Sequence, residues 1–239
     1  MDDELQSDIT DEWTSYREEL IHLQDIKLPR WLNMTHCDED VQLHGFADAS
    51  TQAYAAVTYL RIVRDGVVYV SMIASRTKVA PLKQLSVPKL ELCAAALLAE
   101  LINDVAGILD IPKKSIFAWT DSMVVLSWLQ SQPSRWKTFV ANRTAEITRL
   151  IDNDRWRHVQ SSDNPADLAT RGVKAQDLPM QIIWWNGPEW LKDNFKYDKT
   201  EITQTELESK CTHHAIIEEK PIWGEIFNFL QNEESTSIL

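Results

Sequence analysis

Residues 41–50 read Val41-Gln42-Leu43-His44-Gly45-Phe46-Ala47-Asp48-Ala49-Ser50. The period is two, so Gln42, His44, Phe46 and Asp48 share one face of a strand, while Val41, Leu43 and Ala47 take the other. The strand closes on an acid just before a turn. Two β-rich runs follow, Tyr54–Val63 and Val67–Ser75, separated by Arg64-Asp65-Gly66, where Asp-Gly tolerates the positive φ of a tight hairpin. Residues 76–87 read as a polar loop containing Arg76, Lys78 and Lys83. From Pro88, the positions Leu90, Cys93, Ala94, Leu97, Leu101, Val105 and Ile108 repeat at helical spacing. Ser115–Thr120 is short, apolar and bounded, as a buried central strand should be. Ser122–Gln130 predicts a short helix, and Trp136, Val140, Arg143, Ile147 and Leu150 mark a longer one. Arg155–Val159 gives a fifth strand. In the last helix Asn164 caps, Pro165 takes the first position and Gly172 supplies the stop. This order predicts an α/β fold: a five-stranded mixed sheet, three antiparallel strands followed by parallel additions, flanked by helices.

Outside this block the chain changes character. At 239 residues, with 44% hydrophobic and 25% charged side chains, it has globular composition. That length suits one domain with attachments, and we divide it into an N-terminal linker and helix (1–40), a core domain (41–178) and a Trp-rich clasp with an acidic tail (179–239). Trp13, Tyr16, Leu20, Leu23 and Ile26 define one face of an N-terminal amphipathic helix, which Leu28-Pro29-Arg30 ends. The longest nearly apolar run, Leu92–Ile102, is interrupted by Glu100, so no membrane span is expected. The acidic start lacks the features of a secretory signal, and three widely spaced cysteines suit a reducing setting, so an intracellular, cytoplasmic or nuclear, location is expected.

The net charge of −12 discourages a nucleic-acid partner until it is divided. Residues 1–40 carry 3 basic and 12 acidic groups, residues 179–239 carry 5 and 11, and residues 41–178 carry 16 and 13. The middle is therefore mildly basic between two acidic flanks, and the whole-chain charge is a poor guide to what it binds.

Four acids stand at element ends inside the apolar framework: Asp48, Glu91, Asp121 and Asp167. Carboxylates are costly there unless paired or bound to a cation. Hard divalent cations take oxygen ligands and bridge acids that otherwise repel. Two such ions would activate a water and stabilise the leaving oxygen of a phosphodiester without a protein nucleophile.

The ordered set His44-Gly45-Phe46-Ala47-Asp48-Ala49-Ser50, Pro88-Lys89-Leu90-Glu91-Leu92, Trp119-Thr120-Asp121-Ser122 and Asn164-Pro165-Ala166-Asp167-Leu168-Ala169-Thr170-Arg171-Gly172 resembles the ribonuclease H domain of BEL/Pao-type long-terminal-repeat retrotransposons. Arg135-Trp136-Lys137-Thr138-Phe139-Val140 and the Trp-Trp-x-Gly-Pro-x-Trp-Leu segment from Trp184 extend the likeness over about residues 41–191. The segment through Leu28-Pro29-Arg30-Trp31 resembles the link from reverse transcriptase to ribonuclease H. The resemblance implies a ribonuclease H-like fold with an Asp48, Glu91, Asp121, Asp167 site. It implies two Mg²⁺ ions, with Mn²⁺ as a substitute, and hydrolysis of the RNA strand of an RNA/DNA hybrid. The implied partners are the reverse transcriptase and integrase parts of a parent polyprotein. Contacts to the hybrid fall by analogy to Ala49, Ser50 and Ser122, with Arg135, Lys137 and Arg143 tracking phosphate. One departure stands out: Gln160-Ser161-Ser162-Asp163 lacks the histidine that cellular ribonucleases H carry before the last Asp.

Each acid alone has an ordinary explanation as a cap, a turn residue or a dipole partner. Their joint placement favours the site. The alternative function is a catalytically inactive or domesticated ribonuclease H-like scaffold. An integrase or transposase of similar fold is disfavoured, because Glu91 lies between the aspartates and the last acid is Asp167. The tryptophans 184, 185 and 190 read as packing groups rather than base-stacking ones. Cys211-Thr212-His213-His214 lacks a second ligand pair at zinc spacing.

Overall fold

The computed structural model describes residues 7–29, 31–32, 34–35, 40–193, 202 and 204–209. Cys37 and the Cys211–His214 run lie outside them. Five strands build one sheet: β1 (Asp40–Ala49), β2 (Ala53–Arg64), β3 (Val67–Val79), β4 (Ile116–Thr120) and β5 (Trp156–His158). Their spatial order is β3-β2-β1-β4-β5. The first three strands pair antiparallel, and β4 and β5 join β1 in parallel. The hairpin turn between β2 and β3 rests on Asp65 and Gly66, both at positive φ (51° and 73°), as a two-residue connection requires.

One expectation fails at the sheet edge. Residues 76–79, read as loop, continue β3, with Arg76 opposite Ala56 and Val79 opposite Ala53. An edge strand needs only one partner, so alternating polar side chains along it remain compatible with pairing.

Helices cover one face. Helix α2 (Val87–Leu109) begins after Ser86 with Pro88 in its first turn and buries Leu90, Leu97, Leu98, Leu101 and Ile102. By length and composition α2 is apolar enough to cross a membrane, which corrects the reading based on the Glu100 interruption. Here its apolar side lies on the sheet, among Leu43, Ala47, Leu60 and Ile62. Gly45 shows how close the contact is, because a Cβ there would stand 2.5 Å from Ile102 Cδ1 and 2.6 Å from Leu98 Cδ1. Helices α3 (Met123–Gln130) and α4 (Thr138–Leu150) complete the layer, joined by a turn that buries Trp136 completely.

The opposite face is aromatic. Phe46, Tyr59 and Trp119 pack with Val57, Val159, Ala166 and Leu191. Helix α5 (Ala166–Arg171) follows Asn164, whose Oδ1 accepts from the Ala166 N–H at 3.2 Å, and stops at Gly172 with φ 82°. Beyond it, α6 (Ile182–Asn186) and the turn Glu189–Lys192 lay the tryptophan segment on the sheet. The Trp190 ring lies 4.7 Å from that of Trp119. Tyr59 Oη donates to the Trp184 carbonyl at 2.7 Å. Arg61, only 3% exposed, donates to the carbonyls of Leu191 and Asp193. A buried guanidinium is tolerable because carbonyl oxygens receive its protons. The tryptophans therefore pack as expected.

At the N-terminus, α1 (Ser7–Glu19) tightens into a 3₁₀ turn, Leu20–Asp25, instead of continuing as one helix to Ile26. The tighter winding breaks the 3.6-residue period on which the expected apolar face depended. Trp13 and Tyr16 remain 60% and 54% exposed.

Two predictions follow from the packing. Gly45→Ala should destabilise the domain by about 1–3 kcal/mol through overpacking, read as a lower urea midpoint at unchanged slope. His44 is the second case. It is fully buried beside Phe117 and Trp119 and accepts at Nδ1 from Trp119 Nε1 at 3.2 Å. Burial first, then nearby Arg61, lowers its pKa to about 3. The unfolded chain takes up this proton near pH 6.5 and the folded chain does not, so stability is present above 6.5 and lost as pH falls toward 3. The slope is about 1.4 kcal/mol per pH unit. A His44→Gln variant should lack that component in denaturation series across this window.

Candidate active site

The parallel pairing of β1 and β4 brings two acids to one rim. Ala47 stands opposite Thr120, so the next residues, Asp48 and Asp121, leave adjacent strands at their C-terminal ends, where open α/β sheets place their sites. Asp48 is 7% exposed. Its carboxyl is pushed up to about 6, chiefly by burial and further by the charges of Asp121 and Asp167, while a hydrogen bond from Thr170 opposes the shift. Glu91 reaches the same rim from the first turns of α2, and its pKa is raised by burial and by Asp121 and Asp48. Three elements and the start of α5 thus bring the four predicted acids into one electrostatic neighbourhood.

Each carboxylate has its own donor. Thr170 Oγ1 donates to Asp48 Oδ2, and Ser122 Oγ donates to Glu91 Oε2. Ser161 Oγ donates to Asp121 Oδ2 at 2.7 Å, and Arg171 Nε donates to Asp167 Oδ1 at 2.6 Å. Helix α5 is fastened to the rim by Asn164, whose Nδ2 donates to the Ala47 carbonyl at 3.0 Å. Like charges on a half-buried rim repel, and hydroxyl and guanidinium donors reduce the cost. Among the described residues, no three His, Cys, Asp or Glu side chains gather as a ready coordination group. The donor set nevertheless fits a hard divalent cation, being all carboxylate oxygen with two members pushed toward the neutral form.

The donors themselves escaped the sequence reading. Thr170 and Arg171 lie three and four residues after Asp167, so helical spacing was the available signal. Ser161 occupies the loop that lacks the expected histidine, and nothing local marked it. Ser122 was expected to meet nucleic acid; here its hydroxyl also accepts the Val125 N–H at 3.3 Å, capping α3. Ser50 Oγ donates to the Thr170 carbonyl at 3.0 Å and accepts from the Gln52 and Ala53 N–H groups, closing the β1–β2 turn beside half-buried Ala49. Arg135 lies over the Trp136 ring at 5.1 Å and pairs with Glu206. Lys137 Nζ is 3.8 Å from Glu208. Arg143 lies farther along α4, donating to Cys93 Sγ at 3.3 Å and covering Phe139 at 4.7 Å.

The family model of the Pao retrotransposon-like RNaseH-like domain matches residues 1–122. The chain belongs to that family. Membership agrees with the ribonuclease H-like sheet order described above. No curated protein matches the chain. Among solved structures, the chain is similar to the N-terminal RNase H domain of Rv2228c from Mycobacterium tuberculosis. The identity is 17% and the TM-score 0.39, over 59% of this chain and 98% of that one. It is also similar to RNase H1 of Halobacterium salinarum, with 15% identity and a TM-score of 0.33, over 53% and 90%. A third likeness is to LC11-RNase H1 in complex with an RNA/DNA hybrid, with 12% identity and a TM-score of 0.34, over 54% and 91%.

Since an ionised Asp48 is disfavoured in the folded rim, neutralising it should stabilise this Pao-type domain. Its raised pKa means that the folded state keeps the proton between about pH 4 and 6. Stability is therefore fully present below that window and declines as pH rises through 6. In EDTA at pH 7, Asp48→Asn should gain on the order of 1–3 kcal/mol over wild type. The two should converge near pH 4 in thermal melts.

Proposed function

We propose that this domain hydrolyses the RNA strand of RNA/DNA hybrids as a metal-dependent endonuclease within a retrotransposon polyprotein. One observation carries the reading: at the C-terminal rim of β1 and β4, burial and the charges of Asp121 and Asp167 push the Asp48 carboxyl up, and burial with the charges of Asp121 and Asp48 does the same to Glu91. A purely structural rim would gain by losing such acids. Asp48, Glu91, Asp121 and Asp167 would hold Mg²⁺, as two ions, or Mn²⁺ in its place. Bound there, the metal supplies an activated water and charge stabilisation of the leaving oxygen.

The chain's own groups do the positioning. Thr170 orients the Asp48 carboxylate, Ser122 orients Glu91, Ser161 orients Asp121 and Arg171 restrains Asp167. Main chain around Ala49 and Ser50, together with Glu91, would meet the ribose 2′-hydroxyl that distinguishes RNA from DNA. Arg135 and Lys137 would meet phosphate as point charges. Arg143, packed between α2 and α4, we assign a supporting role behind them. The reverse transcriptase and integrase parts of the polyprotein are the proposed partners, in an intracellular setting.

One observation favours the second reading, an inactive scaffold: every one of the four carboxylates already has a protein donor. Cleavage decides between them. Wild type should degrade the RNA strand of a labelled hybrid in Mg²⁺ and spare matched single strands and DNA duplex. EDTA should stop it, and Asp121→Asn should slow it on the order of 100-fold or more. Folded wild type that leaves the hybrid intact in both Mg²⁺ and Mn²⁺ would establish the scaffold instead.

A further inference from the structure

The acidic C-terminal flank does not stay apart from the basic core. Residues 204–209 lie against α3 and the turn before α4. The Leu207 carbonyl accepts from Trp128 Nε1 at 2.9 Å, the Glu208 carbonyl accepts from the Lys137 N–H at 2.9 Å, and the Thr205 N–H donates to Ser127 Oγ at 2.8 Å. A single bridge, Trp136 to Ser209, is its β-type pairing. This placement sets two carboxylates on three cations. Glu208 is 3.0 Å from Lys89 Nζ and 3.8 Å from Lys137 Nζ, and Glu206 pairs with Arg135.

Those cations form one cluster of positive charge between the start of α2 and the turn before α4. Lys89, in the first turn of α2, reaches toward α4 with its Nζ 5.8 Å from the Phe139 ring, and its charge there joins that of Lys137 around Glu208. Arg135 and Lys137 flank the buried Trp136, which anchors their backbone. A carboxylate offers an ammonium or guanidinium the same anionic oxygens as a phosphodiester does. Glu208 also holds φ at 65°, a left-handed conformation that is unfavourable for a residue with a Cβ. Its contacts keep it there, and releasing it would relieve that strain.

We propose that residues 204–209 form an acidic strap that occupies the phosphate-binding cations Lys89, Arg135 and Lys137 and competes with nucleic acid for them. The proposal rests on the hybrid-binding reading above and adds its regulation. The strap withholds positive charge from a polyanion until the polyanion displaces it, so binding by the intact chain is weaker and less salt-dependent than the core domain's cations would give.

The test is fluorescence anisotropy in EDTA with a labelled RNA/DNA hybrid and a matched DNA duplex, so that binding is read without cleavage. The Glu206→Gln/Glu208→Gln variant should bind the hybrid about 3- to 10-fold more tightly, the range of one or two modest ion pairs. Its plot of log affinity against log salt should be steeper by about 1–2 units, reflecting recovered phosphate contacts. Adding Lys89→Gln and Lys137→Gln should remove the gain. The Glu206 side chain is 65% exposed, so Glu206→Gln alone leaves the packing intact and decides the matter if the double variant does not fold. Unchanged or weaker binding by cooperatively melting variants overturns the strap, as does absence of hybrid binding by every protein. Tighter binding by the variant, beside a wild type that never cleaves in Mg²⁺, keeps the strap and rejects the hydrolase.

Discussion

Parallel pairing of β1 with β4 forces Asp48 and Asp121 out of the sheet side by side, and the structure around them answers that repulsion. Strands in parallel register end in the same direction, so acids placed just after or at their ends cannot avoid one another. The turn after β1 is closed by Ser50, α5 is fastened to Ala47 by Asn164, and the first turn of α5 brings Asp167 to the same place. Four separate chain segments thus deliver charge of one sign to a rim that excludes much of the water. The donors Thr170, Ser122, Ser161 and Arg171 lower the cost without removing it, since Asp48 and Glu91 remain pushed toward their neutral forms.

A rim under such strain needs a stiff support, and the two faces of the sheet supply it in different ways. On the helical side, Gly45 lets Leu98 and Ile102 approach β1 so closely that no larger residue fits without displacement. The position of Glu91 on α2 is thereby tied to the position of Asp48 on β1. On the aromatic side, Arg61 and Tyr59 hold the tryptophan segment by its carbonyls. Backbone carbonyls make this attachment depend on chain path more than on side-chain identity. Trp119 links the two requirements, packing against Trp190 of the clasp while its strand ends at Thr120, just before Asp121.

Much of this was legible because the chemistry is periodic or punctuated. The alternation through Val41–Asp48, the Asp65-Gly66 turn and the helical repeat from Leu90 each report a local constraint, and the structure follows them except at Ile108, which the last turn of α2 leaves 81% exposed. The Asn164 cap was equally readable, since a short polar side chain before Pro165 has few other uses. What was not legible depends on distance. The continuation of β3 through Val79 is decided by its partner β2. Ser161 meets Asp121 across 40 positions of sequence, and no pattern within either segment announces the contact. The same holds for Glu206 and Glu208, which read as ordinary tail acids until the fold sets them on Arg135, Lys89 and Lys137.

That last contact changes how the chain's charge is to be understood. A net charge of −12 describes long-range repulsion from a polyanion, but beyond a Debye length of about 8 Å in physiological salt such repulsion is largely screened. Close contacts are screened far less. Two strap carboxylates within 4 Å of three cations are close enough to escape most of that screening. The acidic flank and the basic middle are consequently not independent features that cancel on paper. They meet at one surface, between the start of α2 and the turn before α4, where under the proposed strap a charge shared with the chain is a charge withheld from phosphate.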